Sequence, residues 1–355
     1  MECRTIDHLE LFTDDADKAA TELCDAFGFT VHGQGGPDNG VQDRRSVLLR
    51  QHDIALLVTS ALSPAHRADE YVRRHGAGVA VVGLAVDDAA AAFAEAVARG
   101  AAPVSPPVVL ERDGAQVTIA SVEGFGDVEH RFTSRSRADA PFAPGMIEEV
   151  AAAPADSGLL RTVDHLAVCL PAGTLDATVR RYRDVFDLDQ TFEERIVVGS
   201  QAMESKVVQS RSGGVTFTII EPDTSRAPGQ IDKFVRDHDG AGVQHIAFRT
   251  EDIAAGVRDC TARGLRFLST PDGYYTALPE RLGEVGVPVP TLRELNILAD
   301  RDYGGVMLQI FTESRHDRRT LFYELIERRG ARTFGSNNIK ALYEAVERQQ
   351  AAERD

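Results

Sequence analysis

Three residues in the second half of the sequence, His165, His245 and Glu324, have side chains that together can hold a divalent metal ion. Intervals of 80 and 79 positions (245 − 165 and 324 − 245) separate them, which leaves room for strands and helices between successive ligands. Two imidazoles and one carboxylate are the ligand set of non-haem iron(II) oxygenases. About three coordination positions stay open in such a centre, enough for a bidentate 2-oxo acid and O2. The chemistry to consider is therefore iron-dependent oxygenation.

Each of these residues also has an ordinary structural interpretation. A histidine in a strand is more often a hydrogen-bonded core residue than a ligand. Glu324 alternates with Phe322 and Ile326, so it shares their apolar face in a strand. A buried carboxylate is costly unless it is paired or coordinates a metal. An arginine is one available partner, and three lie near in sequence: Arg318, Arg319 and Arg328. Both interpretations stay open at this point.

An internal repeat bears on this choice. Three pairs of similar segments, which we call echoes, occur in the same order in both halves of the chain: residues 6–11 with 163–168, 76–84 with 240–248, and 126–133 with 305–312. In this alignment His8 matches His165, but Val81 stands where His245 does. Because a valine stands at the position that matches His245, His8 has no second histidine with which to hold a metal ion. We therefore expect a metal centre in the second half only.

The stretch between the repeats is rich in Pro, Ala and Gly, which is typical of a domain boundary. We predict an N-terminal non-catalytic barrel domain over residues 1–140, a linker over 141–160 and a C-terminal catalytic domain over 161–355. Amphipathic patterns such as 15–27 indicate helices, and short apolar runs such as 306–311 indicate strands. Each half reads as strand, helix and then several strands, which predicts an α+β fold with a curved, covered sheet.

Composition excludes several classes of protein. The 55 acidic and 39 basic residues give a formal charge of −16, which disfavours binding to nucleic acid or to an anionic membrane. No run approaches the roughly 20 apolar residues that span a bilayer, and the first residues do not read as a secretory signal. Four dispersed cysteines fit a reducing compartment: Cys3, Cys24, Cys169 and Cys260. We expect a cytoplasmic protein.

The sequence resembles the 4-hydroxyphenylpyruvate dioxygenase family of the vicinal-oxygen-chelate superfamily over nearly its whole length. Five blocks carry the resemblance: VDH at 163–165, GAGVQHIAF at 240–248, LQIFT at 308–312, FYELI at 322–326 and FGSNNIKALY at 334–343. The resemblance implies two tandem vicinal-oxygen-chelate domains, each a curved open β-barrel of βαβββ modules with outer helices, and a C-terminal gating helix. It also implies a homodimer, 4-hydroxyphenylpyruvate and O2 as substrates, and Fe(II) held by His165, His245 and Glu324.

By the same resemblance, other residues are expected around the substrate. They comprise three glutamines, two aromatic walls and two positions on the helix that closes the entrance: Gln230, Gln244 and Gln309; Phe311 and Phe322; Ile339 and Tyr343.

Two chemistries occur in this family. Its dioxygenases attack the aromatic ring and form homogentisate, whereas its 4-hydroxymandelate synthases hydroxylate the benzylic carbon. Dioxygenases usually carry Pro-x-Asn-Glu-Pro where this chain has TIIEP at 218–222, and a phenylalanine where it has Ile339. The run 197–205 also resembles the synthases. Isoleucine cannot hydrogen-bond a phenol as asparagine can, so at Ile220 we expect the anchor to move toward Ser205 or Thr218.

These departures predict that 4-hydroxyphenylpyruvate and O2 become 4-hydroxymandelate and CO2, which by resemblance belongs to the biosynthesis of peptide antibiotics. The first alternative is a dioxygenase that forms homogentisate. The second is a non-catalytic protein of the same fold that binds a small molecule, as a barrel without metal ligands would. His245 argues against the second alternative, because it interrupts an otherwise apolar echo.

Overall fold

The computed structural model describes residues 1–150, 158–335 and 338–341. Each half of the chain forms one curved, open sheet with helices on its outer side. The α+β class and the two tandem open barrels expected from the sequence are confirmed. No helix within these three stretches is long and apolar enough to cross a membrane.

Residues 1–150 contain nine strands, three α-helices and a 3-10 helix at Pro37–Asn39. The elements are β1 (Thr5–Thr13), α1 (Ala16–Phe27), β2 (Thr30–Gly35), β3 (Arg44–Gln51), β4 (Ile54–Ala61), α2 (Arg67–His75), β5 (Gly78–Ala85), α3 (Ala89–Ala98), β6 (Pro103–Arg112), β7 (Ala115–Glu123), β8 (Glu129–Arg135) and β9 (Glu148–Glu149).

The described residues from 158 onward contain eight strands and five helices, and residues 338–341 are helical as well. The elements are β10 (Leu160–Cys169), α4 (Leu175–Phe186), β11 (Asp189–Val198), β12 (Gln201–Gln209), β13 (Thr216–Pro222), α5 (Gln230–His238), β14 (Gly242–Thr250), α6 (Ile253–Ala262), α7 (Asp272–Leu282), α8 (Val289–Glu294), β15 (Leu298–Arg301), β16 (Val306–Phe311) and β17 (Phe322–Arg329).

Among the described residues, the two sheets share one strand order over eight strands, and the first sheet has β9 in addition. The first runs β6-β7-β8-β5-β1-β4-β3-β2-β9 and the second β15-β16-β17-β14-β10-β13-β12-β11. Strand β8 is therefore the counterpart of β17, and β7 that of β16. This corrects the third sequence echo, which matched residues 126–133, mostly in β8, with 305–312, mostly in β16. Both strands are short, largely buried runs just after a glycine, so pattern alone does not distinguish neighbouring strands of one sheet.

Helix α1 shows how local sequence sets these elements. The side chain of its N-cap, Asp15, accepts a hydrogen bond from the backbone N–H of Lys18 at 3.0 Å. The helix ends at Gly28, whose φ of 75° lies in the left-handed region that glycine adopts readily. Its buried face includes Ala20 and Phe27, two turns apart, and packs on β3 and β4.

Helices join the two halves in a two-fold-like arrangement. Helix α1 contacts α6, the equivalent pair α4 and α3 also contact, and α2 meets its own counterpart α5. The ring of Phe27 packs edge-on against Phe248 and Tyr323, with centroids 5.8 and 4.9 Å apart. The main apolar core thus includes Leu9 and Leu166, which face away from their neighbours His8 and His165. The inner faces of the sheets carry His8 and His165 together with smaller apolar clusters.

Candidate metal centre

The three candidate ligands lie on adjacent strands, β10, β14 and β17. His165 on β10 and Glu324 on β17 lie opposite the same residue of β14, Ala247. The methyl side chain of Ala247 leaves space between them. His245 precedes Ala247 by two positions, so its side chain leaves the same face of the sheet. Register and alternation thus bring the three side chains to one point.

The ligand atoms of His165, His245 and Glu324 all lie within 4.8 Å of one another. The Nε2 atoms of the two histidines are 3.4 and 3.3 Å from Oε2 of Glu324. Glu324 is only 1% exposed, so its charge needs compensation inside the protein. Arg328, an alternative partner for it, forms its ion pair with Asp164 instead. The arrangement of the three groups fits a bound cation.

Protonation follows from these contacts. Burial by itself raises the pKa of Glu324, but the charge of His165 and hydrogen bonds to both histidines lower that pKa to about 2. Burial lowers the pKa of His165, yet Glu324 and Asp164 raise it to about 9. Burial also lowers the pKa of His245. These shifts favour an ionised Glu324 beside a protonated His165, and a metal ion would replace that proton.

A buried ion pair orients the first ligand. Oδ1 of Asp164 lies 2.9 Å from Nδ1 of His165, and both Asp164 oxygens accept hydrogen bonds from Arg328 at 2.8 Å. With Nδ1 bound to the carboxylate, Nε2 faces Glu324. Such carboxylate–histidine pairs fix the ring orientation and raise the basicity of a metal ligand. The ring of Phe334 packs edge-on against His165, 5.0 Å between centroids.

A second chain of hydrogen bonds supports the glutamate. Nε2 of Gln309 donates to Oε1 of Glu324 at 2.8 Å, and Oε1 of Gln309 accepts from Nδ2 of Asn338 at 2.8 Å. The hydroxyl of Tyr274 donates to Oδ1 of Asn338 at 2.9 Å. Asn338 lies in the C-terminal helical segment, so this chain links that segment to the candidate ligand.

A narrow cavity of about 30 Å³ opens at the three ligands. Six residues predicted to contact a substrate line it: Thr218, Ile220, Gln244, Gln309, Phe311 and Ile339. Phe334 completes the lining. Within the described part of the chain, the buried hydroxyl of Thr218 has no hydrogen-bond partner. The cavity thus offers one available hydroxyl on an otherwise largely apolar wall.

Three other residues predicted from the sequence do not line this cavity. Phe322 stacks on the ring of His245, with centroids 4.9 Å apart, and does not itself face the cavity. Ser205 on β12 is buried opposite Ile220 in register. Gln230 is the first residue of α5, where its backbone N–H donates to Gln201. Tyr343 lies outside the described residues.

The contacts of Asp164, Arg328 and Phe334 around His165 were not predicted from the sequence. A signal for Asp164 was present, because an Asp-His pair occurs in both repeats, at Asp7-His8 and at Asp164-His165. The sequence suggested Arg328 only as a possible partner of Glu324. Its actual partner is across the sheet, 164 positions away.

The donors at this point fit a divalent metal ion. Two imidazole nitrogens and a carboxylate converge, and the support of His165 by Asp164 is the usual one for a metal ligand. The ligand set is that of the facial triad with open positions.

Comparison with known proteins agrees with the fold. Residues 5–125 and 164–278 each match the glyoxalase/bleomycin resistance protein/dioxygenase superfamily. The chain is 31% identical to a 4-hydroxyphenylpyruvate dioxygenase of Aspergillus fumigatus, over 97% of this chain and 92% of that protein. It is 34% identical to the enzyme of the same name from Danio rerio, over 97% and 90% of the two chains.

The chain therefore belongs to the 4-hydroxyphenylpyruvate dioxygenase family of this superfamily. A solved structure of a triple mutant of 4-hydroxymandelate synthase from Streptomyces coelicolor is also similar to it. The two share 43% identity, cover 99% and 100% of each other and superpose with a TM-score of 0.90.

Proposed function

We propose that this protein is an Fe(II)-dependent oxygenase that converts 4-hydroxyphenylpyruvate and O2 into 4-hydroxymandelate and CO2. One oxygen atom enters the carboxylate formed by decarboxylation, and the other becomes the benzylic hydroxyl. The observation that carries the proposal is the lining of the cavity beside the three ligands. It presents Ile220 and Ile339 where family dioxygenases usually have asparagine and phenylalanine.

In this proposal His165, His245 and Glu324 hold the iron. A ferrous ion, when bound, supplies the positive charge that receives the 2-oxo acid and the electrons that activate O2. Asp164 keeps the ring of His165 in place, and Gln309 does the same for Glu324. Gln244, which lines the cavity, is placed to donate a hydrogen bond to the substrate. The aromatic rings of Phe311 and Phe334, which line the cavity, exclude water from the reacting groups, and Phe322 packs against the ring of His245.

Ring position decides the product in this scheme. Ile220 offers no hydrogen bond to a phenol, whereas the hydroxyl of Thr218, two positions earlier on the same face of β13, has no partner among the described residues. We assign the phenol anchor to Thr218, with Ser205 as the neighbouring polar side chain. An anchor moved in this way holds the benzylic carbon, rather than the ring, at the metal. Displacements of this size matter because reacting atoms must lie about 3–3.5 Å apart.

Product identification tests the proposal. Iron-loaded protein is incubated with 4-hydroxyphenylpyruvate in air, and the products are separated and identified by mass. We expect 4-hydroxymandelate and one CO2 per O2 consumed. Homogentisate as the main product would instead assign the protein to the dioxygenases, the activity by which the similar proteins of Aspergillus fumigatus and Danio rerio are named. Binding of the substrate without O2 consumption would indicate the non-catalytic alternative.

A further inference from the structure

The first half of the chain contains a counterpart of the candidate metal centre with different chemistry. His8 lies opposite Gly83 on β5, and Arg131 on β8 lies opposite the same glycine. In the second half, His165 and Glu324 lie opposite Ala247 in the same way. Arg131 therefore occupies the position of Glu324. A guanidinium now stands where the carboxylate ligand would be, so this half is not built for a metal cation.

The supporting residues around this point are nevertheless repeated. Asp7 contacts Nδ1 of His8 at 2.7 Å and also accepts hydrogen bonds from Arg135, as Asp164 does with His165 and Arg328. The ring of Phe142 packs edge-on against His8 at 5.1 Å, matching Phe334 against His165. Both halves thus contain the same frame, which consists of an Asp-His pair, an arginine and a phenylalanine ring. The charge at the position of Glu324, however, is positive in the first half.

A cavity of about 240 Å³ opens at this frame, several times larger than the one beside the metal ligands. This volume lies just below the roughly 300–1,000 Å³ of pockets for drug-sized ligands, so a small molecule fits. One side of the cavity is apolar and includes Leu57, Phe142 and Ile147. Arg131 and Thr133 also line the cavity.

Charges in this cavity are mixed, and each carboxylate has an arginine partner. Glu10 accepts from Nη1 of Arg131 at 2.9 Å, Glu129 lies 2.7 Å from Arg67, and Asp7 pairs with Arg135. Arg44 and His66 also line the cavity, and Arg44 pairs with Asp43 at 3.1 Å. The hydrogen bonds of Arg131 to described residues leave from Nη1. Its remaining N–H groups can donate to a ligand.

Thr133 supplies an independent sign of a ligand. It is 2% exposed and lines the cavity, yet its hydroxyl has no hydrogen-bond partner among the described residues. An unpartnered buried hydroxyl costs free energy that an apolar residue would avoid. The equivalent position of β17 is indeed apolar, Ile326. Arg131 and Thr133 lie two positions apart on β8, so their side chains leave the same face of the sheet, and both line the cavity.

From these observations we propose that the first-half cavity binds a small organic acid with an apolar body. Its carboxylate is received by Arg131 and the hydroxyl of Thr133, and its body packs against Leu57, Phe142 and Ile147. Arginine suits this task because its planar set of donors matches a carboxylate. The site is separate from the metal centre and does not depend on iron.

Phenylacetate is a suitable probe, with its neutral amide, phenylacetamide, as the control ligand. Binding is measured by calorimetry and by ligand-observed NMR on full-length, metal-free protein. We expect phenylacetate to bind and phenylacetamide to bind at least tenfold more weakly. No binding of phenylacetate, or equal binding of the two compounds, would overturn the proposal.

Two variants locate the binding. Thr133→Val should weaken phenylacetate binding at least tenfold without loss of thermal stability, because the hydroxyl has no protein partner to lose. Thr218→Val, which alters the cavity at the metal ligands, should leave phenylacetate binding unchanged. If Thr218→Val abolishes binding while Thr133→Val retains it, the acid binds in the second half and the proposal is wrong. The outcome is independent of the reaction product, so it leaves the proposed function untouched.

Discussion

The carboxylate of Asp164 lies 2.9 Å from Nδ1 of His165, its neighbour in sequence, and both are buried. Adjacent residues of a strand normally face opposite sides of a sheet. The pairing register of β10 with β14 shifts between Val163 and His165, and this bulge accompanies the contact. Arg328 then neutralises Asp164 from the other side.

Replacing this carboxylate should therefore weaken metal binding. We expect Asp164→Asn to lower the affinity for Fe(II) about 10–100-fold, as is usual when the partner of a metal-bound histidine is lost. The equivalent change in the first half, Asp7→Asn, is a matched control. Both variants break a buried ion pair and should lose about 3–5 kcal/mol of unfolding free energy. Metal titration should separate them, and equal losses of affinity would contradict the assigned role of Asp164.

Gln309 should affect the metal through Glu324. Gln309→Leu removes the hydrogen bond to Glu324 Oε1, and a hydrogen bond to a charged group contributes about 1.5–3 kcal/mol. We expect roughly tenfold or greater weakening of metal binding, measured by competition with a chelator. Thr218→Val is the control, since Thr218 lines the same cavity without a hydrogen bond to any described ligand. A variant with unchanged affinity would show that Gln309 does not position the glutamate.

The double change Ile220→Asn with Ile339→Phe tests the basis of product choice. Asparagine restores a group that can hydrogen-bond a phenol, and phenylalanine restores an aromatic wall. Some of the product should then shift from 4-hydroxymandelate to homogentisate, as measured by product ratio. Phe311→Leu is a useful comparison, because it alters the same wall without adding a polar group. No shift in the double variant would remove Ile220 and Ile339 from the explanation.

Acid should weaken the contact between the halves at His130. This side chain is fully buried, and its Nε2 lies 2.6 Å from the hydroxyl of Tyr182 in the other half. Burial, together with the charge of Arg181, lowers the pKa of His130 to about 3. The unfolded chain binds the proton near pH 6.5, so the contribution is complete above that pH and is lost on acidification toward pH 3.

The expected slope is at most about 1.4 kcal/mol per pH unit. Urea unfolding at pH 7 and pH 5 should show wild type losing about 2 kcal/mol more than His130→Phe, whose ring fits among Phe125, Phe186 and Phe217. Equal losses in the two proteins would refute this assignment.

Sequence predicted the elements better than their pairing. Helix α1 begins one residue after the start of the predicted segment 15–27, and strand β16 has the predicted bounds 306–311, because the spacing of apolar residues records which positions are buried. The comparison of the repeats pointed to His165 and His245, and the apolar strand pattern around Glu324 pointed to the third candidate ligand. The pairing of β8 with β5 could not be predicted, because the sequence pattern of an apolar strand does not show which strands lie beside it. That error hid Arg131, which takes the place of Glu324 in the first half.

Contacts across the sheet were also beyond the sequence. Arg328 on β17 donates hydrogen bonds to Asp164, which lies 164 positions earlier in the sequence. Asn338 in the C-terminal segment donates a hydrogen bond to Gln309. Such partners depend on the register of parallel strands and on side-chain direction, which composition and spacing do not encode.

The three candidate ligands lie on strands of the second sheet that are about eighty residues apart in the sequence. Two of these strands, β14 and β17, pair in parallel. Pairings of this kind close long loops, which costs chain entropy and slows folding. An ion that needs all three ligands binds the finished sheet and no earlier intermediate, so it stabilises the native state by mass action. At one hundred times the dissociation constant this amounts to about 2.7 kcal/mol. If the proposed metal is iron, its supply would therefore affect the stability of the folded state as well as catalytic turnover.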